Sequence, residues 1–430
     1  MLRALIILMV SLWSVDAWAT TFYVKTTGSD ANSCAQAQSP STPKLTPADG
    51  CLCLNGSGAD ATLDIDAGLY TGAGARLYET TCTIPSGTSG HPTIIRGAGT
   101  SGCALSNTCG TILRPNGVPI NLESKSYVRF QGLEVDGQSN ASDDSCARLG
   151  GTGDSVGGNI EFIDVELHHC TDQGLFEKSG YADITHTRVR YHHNGTGGNN
   201  EGHGCYCSAD RNTFTDSRLD HNGVAVGSTQ SYGVQFFTDE ATSGGVSDDN
   251  LLLNVEMDSN SAGGLAVEGA NTFCYNCIIH DNADNGIEIG FDPSSGFRCY
   301  FCTIEGNGGW GIYNGIFAAA NNTEIKNSHI VENASGAITT GSGTGLVQTT
   351  NRTTGALTDC TVSSSDYHQK GGSSCLGQGT ALVAVLTDFY GTTRDDPPDI
   401  GATETYAGSG GGPSNSSFTR GGKGMNGRMR

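Results

Sequence analysis

The chain has 430 residues, of which 63 are Gly, with 16% charged and 36% hydrophobic residues and a net charge of -21. This acidity excludes nucleic acid as a partner, since phosphate recognition needs a basic surface. It also repels an acidic polysaccharide unless basic residues cluster locally or a divalent cation bridges the two.

In chain order, Arg3, the apolar run from Ala4 to Val15 and Ala17-Trp18-Ala19 read as a secretory signal over residues 1–19. No later stretch approaches ~20 consecutive apolar residues, so no membrane span is expected. The mature chain is therefore expected to be secreted, periplasmic or bound at the cell surface. Residues 20–126 read as an irregular N-terminal cap with the first coils. They contain Cys34, Cys51, Cys53, Cys82, Cys103 and Cys109 among sixteen Cys in all. In an oxidising compartment disulfides are the default, with connectivity open.

From Tyr127 to residue 406 the chain repeats with a period of about 22 to 28 residues, the mark of a solenoid in which each repeat is one coil. Asn194, Asn222, Asn260, Asn282, Asn307 and Asn333 occupy one aligned turn position. Stacked Asn side chains can bond along such a column and satisfy amides that would otherwise be buried unpaired. Gly-led strands follow, and their period of two sends Leu175, Cys205, Val234, Leu265, Ile287 and Ile312 inward. Phe176, Tyr206, Gln235, Ala266, Glu288 and Tyr313 then face outward. Crossover connections between parallel strands coil right-handedly. The expected fold is all-β, a single right-handed parallel β-helix.

Seven of the eleven His fall between His168 and His221, several in aligned turn columns; repetition of turn chemistry explains them before a metal or proton-transfer site does. Insertions at Gly195 to His203, Val224 to Ser231 and Thr238 to Asp249 lengthen three neighbouring connections, and such insertions collect around binding faces. The cleft is therefore expected on the outward side of the strands at Cys205 and Val234. There, Tyr206, Tyr232, Gln235 and Glu288 are candidate substrate contacts, because rings stack on a pyranose and polar groups hold its hydroxyls. Lys178, His203, Arg211 and Asp239 are candidate catalytic groups. Asp239, Glu240 and Glu268 are candidate Ca²⁺ ligands.

Cys274-x-x-Cys277 recurs as Cys299-x-x-Cys302 at a shift of 25 residues. Adjacent coils lie ~4.8 Å apart, so equivalent Cys stack within reach of a disulfide; buried free thiols and a zinc site are the other readings. Gly290-Phe291-Asp292-Pro293 is similar to a fragment of a motif in alginate epimerases. Ser294 and Ser295 stand where that motif continues with His, and the match is treated as chance. The last 24 residues, 407–430, are rich in Gly and Ser with a few basic residues and too apolar-poor to order themselves.

From about Thr21 to Glu404 the sequence resembles the pectate-lyase-like right-handed β-helix superfamily. The opening strand, the Gly28-Ser29-Asp30 turn, Pro43-Lys44 and the ending Asp399-Ile400-Gly401-Ala402-Thr403-Glu404 carry the resemblance together with the repeats. It implies a protein active on polysaccharide, with a lyase acting by β-elimination expected first and a glycoside hydrolase second. A glycan-binding or adhesive solenoid without turnover is the alternative, since the fold alone does not choose. No familiar catalytic signature of pectate lyases or polygalacturonases is intact. β-Elimination on a uronate needs a base for the C5 proton, for which Lys178, His203 or Arg211 is a candidate; hydrolysis needs two carboxylates, among Asp239, Glu268 and Glu288. A monomer is expected.

Overall fold

The computed structural model describes residues 19–78, 82–100, 110–139, 145–150, 156–197, 202–223, 230–237, 247–290, 294–315 and 320–405. The expected signal, the basic tail, Cys103, Cys109, Asp239, Glu240, Phe291, Asp292, Pro293 and much of the three insertions lie outside the described residues.

Each coil contributes three strand segments. In one, Tyr181–Thr187 runs to a left-handed bend at Arg188, Arg190–His192 runs to a second left-handed residue at His193, and Cys205–Cys207 follows the Asn turn. The first two segments stack into a large parallel sheet, of eighteen strands among the described residues, and the third into a ten-stranded one. The fold is thus a right-handed parallel β-helix.

The bends explain much of the repeat. His169, His193, His221, Ser259 and Asp281 share the turn column, all with φ between +52° and +56°. His, Asn and Asp tolerate this region better than branched residues do. The recurrent His at this step is therefore turn chemistry.

Beside it the Asn column forms as expected. Asn194 donates to Asn222 at 3.1 Å, Asn222 to Asn260 and Asn260 to Asn282 at 2.9 Å, Asn282 to Asn307 at 2.9 Å and Asn307 to Asn333 at 2.8 Å. Each side chain is almost completely buried, so this ladder removes a desolvation cost at every coil.

The inward column is also as expected: Leu175, Cys205, Val234, Leu265, Ile287 and Ile312 stand in register and are fully buried. A second inward stack runs through Phe130, Phe162, His186 and Phe214 in the large sheet, with rings 3.9 to 5.6 Å apart.

At the N-terminal end, Thr21–Val24 pairs with Thr62–Ile65, and two short helices close the bore. Ser33 and Thr46 cap them. Gly50 permits the contact: a Cβ there would come within 2.3 Å of Val24 Cγ2. Cys34 is bonded to Cys53 and Cys51 to Cys82, which ties this cap to the first coils.

At the other end the chain folds back along the large sheet. Tyr367 donates to Glu305 at 2.6 Å, Asn276 to the Thr387 carbonyl at 2.7 Å and Asn327 to the Thr380 carbonyl at 2.8 Å. In the terminal motif Asp399 accepts from Gly377 and Thr405, while Glu404 accepts from the Asp399 amide and pairs with Arg394. The large sheet is thereby covered over its later coils.

Candidate functional site

On the outward face of the ten-stranded sheet, Asn121, Arg148, Phe176, Tyr206, Gln235, Ala266, Glu288 and Tyr313 form one registered column. Rings gather at its centre. Tyr206 stacks on Phe237 at 3.9 Å and on His203 at 4.9 Å, with Phe176 at 5.9 Å. His203 also stacks on Tyr232 at 5.8 Å. Phe176, Tyr206 and Phe237 are half-buried, which leaves part of each ring in contact with solvent as a platform.

Towards the later coils the face turns acidic. Ala266 and Glu288 point outward but are covered, because Tyr232 lies across them. The Tyr232 hydroxyl donates to Glu288 Oε2 at 2.7 Å, and Asn285 Nδ2 donates to Oε1 at 2.9 Å. Asn285 is itself held by the Trp310 amide at 2.6 Å. Burial, only partly offset by these two donors, raises the Glu288 carboxyl to about 7. Near neutrality it is therefore poised between acid and base. Burial, with Glu288 beside it, likewise raises the Tyr232 phenol.

Towards the earlier coils the face is basic. Arg148 lies 5.7 Å over the Phe176 ring, and its Nε is buried without a hydrogen-bond partner among the described residues. Lys178, two residues after Phe176 and so on the same side, is half-buried against Gly150 and joins no ion pair among the described residues.

The structure thus brings together Lys178, His203, Tyr206, Tyr232, Gln235, Glu268 and Glu288 on one face. His203 is buried there and accepts the Tyr232 amide proton on Nδ1 at 3.1 Å; burial lowers its value to about 3, so it is neutral with its own proton on Nε2. It props the rings and offers no basic nitrogen on that side. Arg211 stands apart, at a left-handed corner beyond the strand, exposed and bonded to Asp183 at 2.7 and 3.0 Å. Asp239 and Glu240 lie outside the described residues. Glu268 accepts from Gln235 at 3.0 Å and belongs to no cluster of three or more His, Cys, Asp or Glu ligands among the described residues. Of the three candidate calcium ligands only Glu268 is among the described residues.

Arg148, Phe237 and Asn285 were not among the residues picked out by sequence. Ala147–Leu149 lacks the leading Gly that marks the later strands, Phe237 lies just past its strand, and Asn285 precedes its own Gly.

A second polar cluster lies on the large sheet. Asp136, His168, His192, Asp220, Asp258 and His280 stand in register, beside a column of Glu134, Glu166, Arg190, Arg218 and Glu256. The groups pair with one another: Arg114 with Asp136 at 2.6 Å, Arg190 with Asp220 at 2.8 Å, Arg218 with Asp258 at 2.9 Å, His168 with Glu134 at 3.1 Å and His192 with Glu166 at 2.6 Å. Burial pushes His192 well down and His193 to about 3, so these rings are uncharged. Asp136, His168 and His169 are close enough to share a cation, as are Glu256, Asp258 and His280. Asp136, His168 and Asp258 are engaged in the pairs above, His169 bonds to His168 at 2.5 Å, and His280 bonds to Glu256 at 3.2 Å and to Asp281 at 3.0 Å, which favours a structural stack.

No protein-family model matches the chain, and no curated protein is similar to it in sequence. Solved structures share its fold. Pectate lyase Pel9A superposes with a TM-score of 0.54 at 15% identity, over 90% of this chain and 96% of that one. The A-module of mannuronan C-5 epimerase AlgE4 from Azotobacter vinelandii gives 0.50 at 15% identity, over 70% of this chain and 77% of its own.

Proposed function

We propose that this protein is exported and binds an acidic polysaccharide along the outward face of the ten-stranded sheet, cleaving it by β-elimination at the Tyr232–Glu288 pair. The observation that carries the reading is Glu288: a carboxyl on the outward face, raised to about 7, bonded to a phenol and adjoining a platform of rings. That a pectate lyase and a mannuronan epimerase share the fold supports an acidic glycan as the substrate class.

The chain's net charge of -21 opposes such a ligand, so local cations must offset it. Arg148 and Lys178 do so at one end. Five strand steps separate the coil of Arg148 from that of Glu288, and four separate that of Lys178, about 24 and 19 Å at ordinary spacing. They therefore hold the carboxylate of a sugar several units along the chain, while the rings of Phe176, Tyr206 and Phe237 carry the units between.

At the other end ionised Glu288 takes the C5 proton of a uronate. The C4–O4 bond breaks as the C4–C5 double bond forms, and the Tyr232 phenol gives its proton to the leaving oxygen. Glu288 then returns its proton to the Tyr232 phenolate, which restores the pair without any added reactant. Tyr232 must swing from Glu288 to expose it, since only 1% of Glu288 is exposed.

A panel of uronate polymers and neutral glycans, scored for unsaturated uronate and for reducing ends, tests this reading. Unsaturated ends that disappear in Glu288→Gln support it. New reducing ends without unsaturation replace it by hydrolysis, and binding without either product replaces it by the non-catalytic reading. Turnover that a chelator abolishes would place a metal ion in the mechanism.

A further inference from the structure

The bore carries chemistry that the outward face does not use. Around each left-handed bend of the large sheet, the residue two before the bend and the residue one after it both point inward. Most coils fill these positions with ordinary core residues, such as Phe162 and Val165, Leu252 and Val255, or Ile325 and Ser328. In two consecutive coils, bent at Asn276 and Phe301, both positions are Cys.

The left-handed residue just before Cys277 and Cys302 folds each C-x-x-C so that its two thiols face the same side, and the coil repeat sets one pair on the other. Cys274 stands opposite Cys299 in strand register. The Sγ atoms of Cys274, Cys277 and Cys302 all lie within 4.8 Å of one another, and Cys302 Sγ reaches to 3.3 Å from the Cys274 carbonyl on the coil before. All four side chains are fully buried. The ten other described Cys are joined in five disulfides, whereas these four are unpaired.

We propose that Cys274, Cys277, Cys299 and Cys302 together hold a thiophilic divalent cation of the zinc class inside the bore. Tetrahedral zinc with four thiolates at about 2.3 Å places the sulfurs about 3.8 Å apart, a small contraction of the Cys274, Cys277 and Cys302 cluster, to which Cys299, in register beside Cys274, adds the fourth sulfur by rotation of its side chain. Four S–H groups release their protons to solvent as four metal–sulfur bonds form, and no electrons are transferred. Burial disfavours an isolated thiolate, and a dication supplies the charge that lets the four thiols ionise there. Such an ion clips two coils together at the middle of the stack, as the disulfides do at its N-terminal end.

The test uses the full chain, purified without reductant or chelator. Elemental analysis should find about one zinc per chain, and unfolding with chelator followed by alkylation should modify Cys274, Cys277, Cys299 and Cys302. Refolding with Co²⁺ should give the intense visible bands of tetrahedral cobalt thiolate, and Cys302→Ser should abolish them. If that variant fails to fold, a quadruple variant with the apolar pairs of neighbouring coils, Cys274→Leu, Cys277→Val, Cys299→Ile and Cys302→Val, should fold without the bands. Four residues that resist alkylation until reduced, with no metal, would show two disulfides and overturn the proposal. Four alkylatable thiols in folded protein that binds neither zinc nor cobalt would overturn it equally.

Discussion

The two polar faces of the solenoid are built on the same repeat and end differently. On the large sheet, His, Asp, Glu and Arg recur at fixed columns from Asp136 to His280 and several pair with a neighbour one coil away, as in Arg190 with Asp220 and Arg218 with Asp258. On the ten-stranded sheet the column changes character along the stack, from Arg148 through Phe176 and Tyr206 to Glu288, and it contains a buried guanidinium nitrogen without a hydrogen-bond partner among the described residues and a carboxyl raised to about 7. A column that repeats and closes on itself stabilises the stack. The varying column is the one that the proposed function assigns to a glycan.

The largest effect separates the two sides of a single strand. Ile287 points into the bore and Glu288 outward. Ile287→Asp should abolish folding, because it buries an unpaired carboxylate between coils at a cost of several kcal/mol. Secretion of that variant at wild-type level with unchanged melting would break the register on which the comparison rests.

Glu288→Gln comes next. It should lower turnover by about 100-fold or more with the fold intact. The folded value of about 7 lies above the ordinary carboxyl value of 4.5, with burial the main cause. Wild-type turnover should therefore rise with pH through about 7, where Glu288 ionises. The same shift makes its contribution to stability complete below about pH 4.5 and lost as pH rises through 7. A melting curve of Glu288→Gln should lack that loss; identical pH dependence in both proteins would refute the assignment.

Asp220→Ala sharpens the comparison from the other side. Asp220 is fully buried between Arg190 and Arg218, and losing one partner of a buried pair costs ~3–5 kcal/mol. Arg190 keeps 39% of its side chain exposed, so about 2 kcal/mol is expected after solvent screening. The readout is a lower denaturation midpoint with unchanged turnover per folded molecule. The smallest effect is at the platform: Tyr206→Ala should weaken glycan binding by about 1 kcal/mol, roughly fivefold, and leave the pH profile unmoved.

How far the sequence reached follows from the same contrast. Features set by the backbone period were legible: the inward column from Leu175 to Ile312, the Asn ladder, and the stacking of Cys274 on Cys299. The reading of the His column as turn chemistry follows from φ alone. Features set by side chains that cross between coils were not legible. Tyr232 lies outside the strand it precedes, so nothing in the period shows that it covers Glu288 or supplies its hydrogen bond. His203 has the composition of a base, yet its environment makes it a neutral prop. Arg211 is near the site in sequence, but the corner turns it towards Asp183. Arg148 was missed because its strand belongs to an early coil without the Gly signal.

Side-chain oxidation footprinting with and without a saturating acidic polysaccharide tests the central claim most directly, because it reads both faces in one experiment. The account predicts that the glycan slows oxidation of Phe176, Tyr206 and Phe237, while exposed His193 and half-buried His221 on the large sheet oxidise at unchanged rates. Protection of His193 and His221, with the three rings of the ten-stranded sheet unprotected, would place the binding face on the other side of the helix and contradict it.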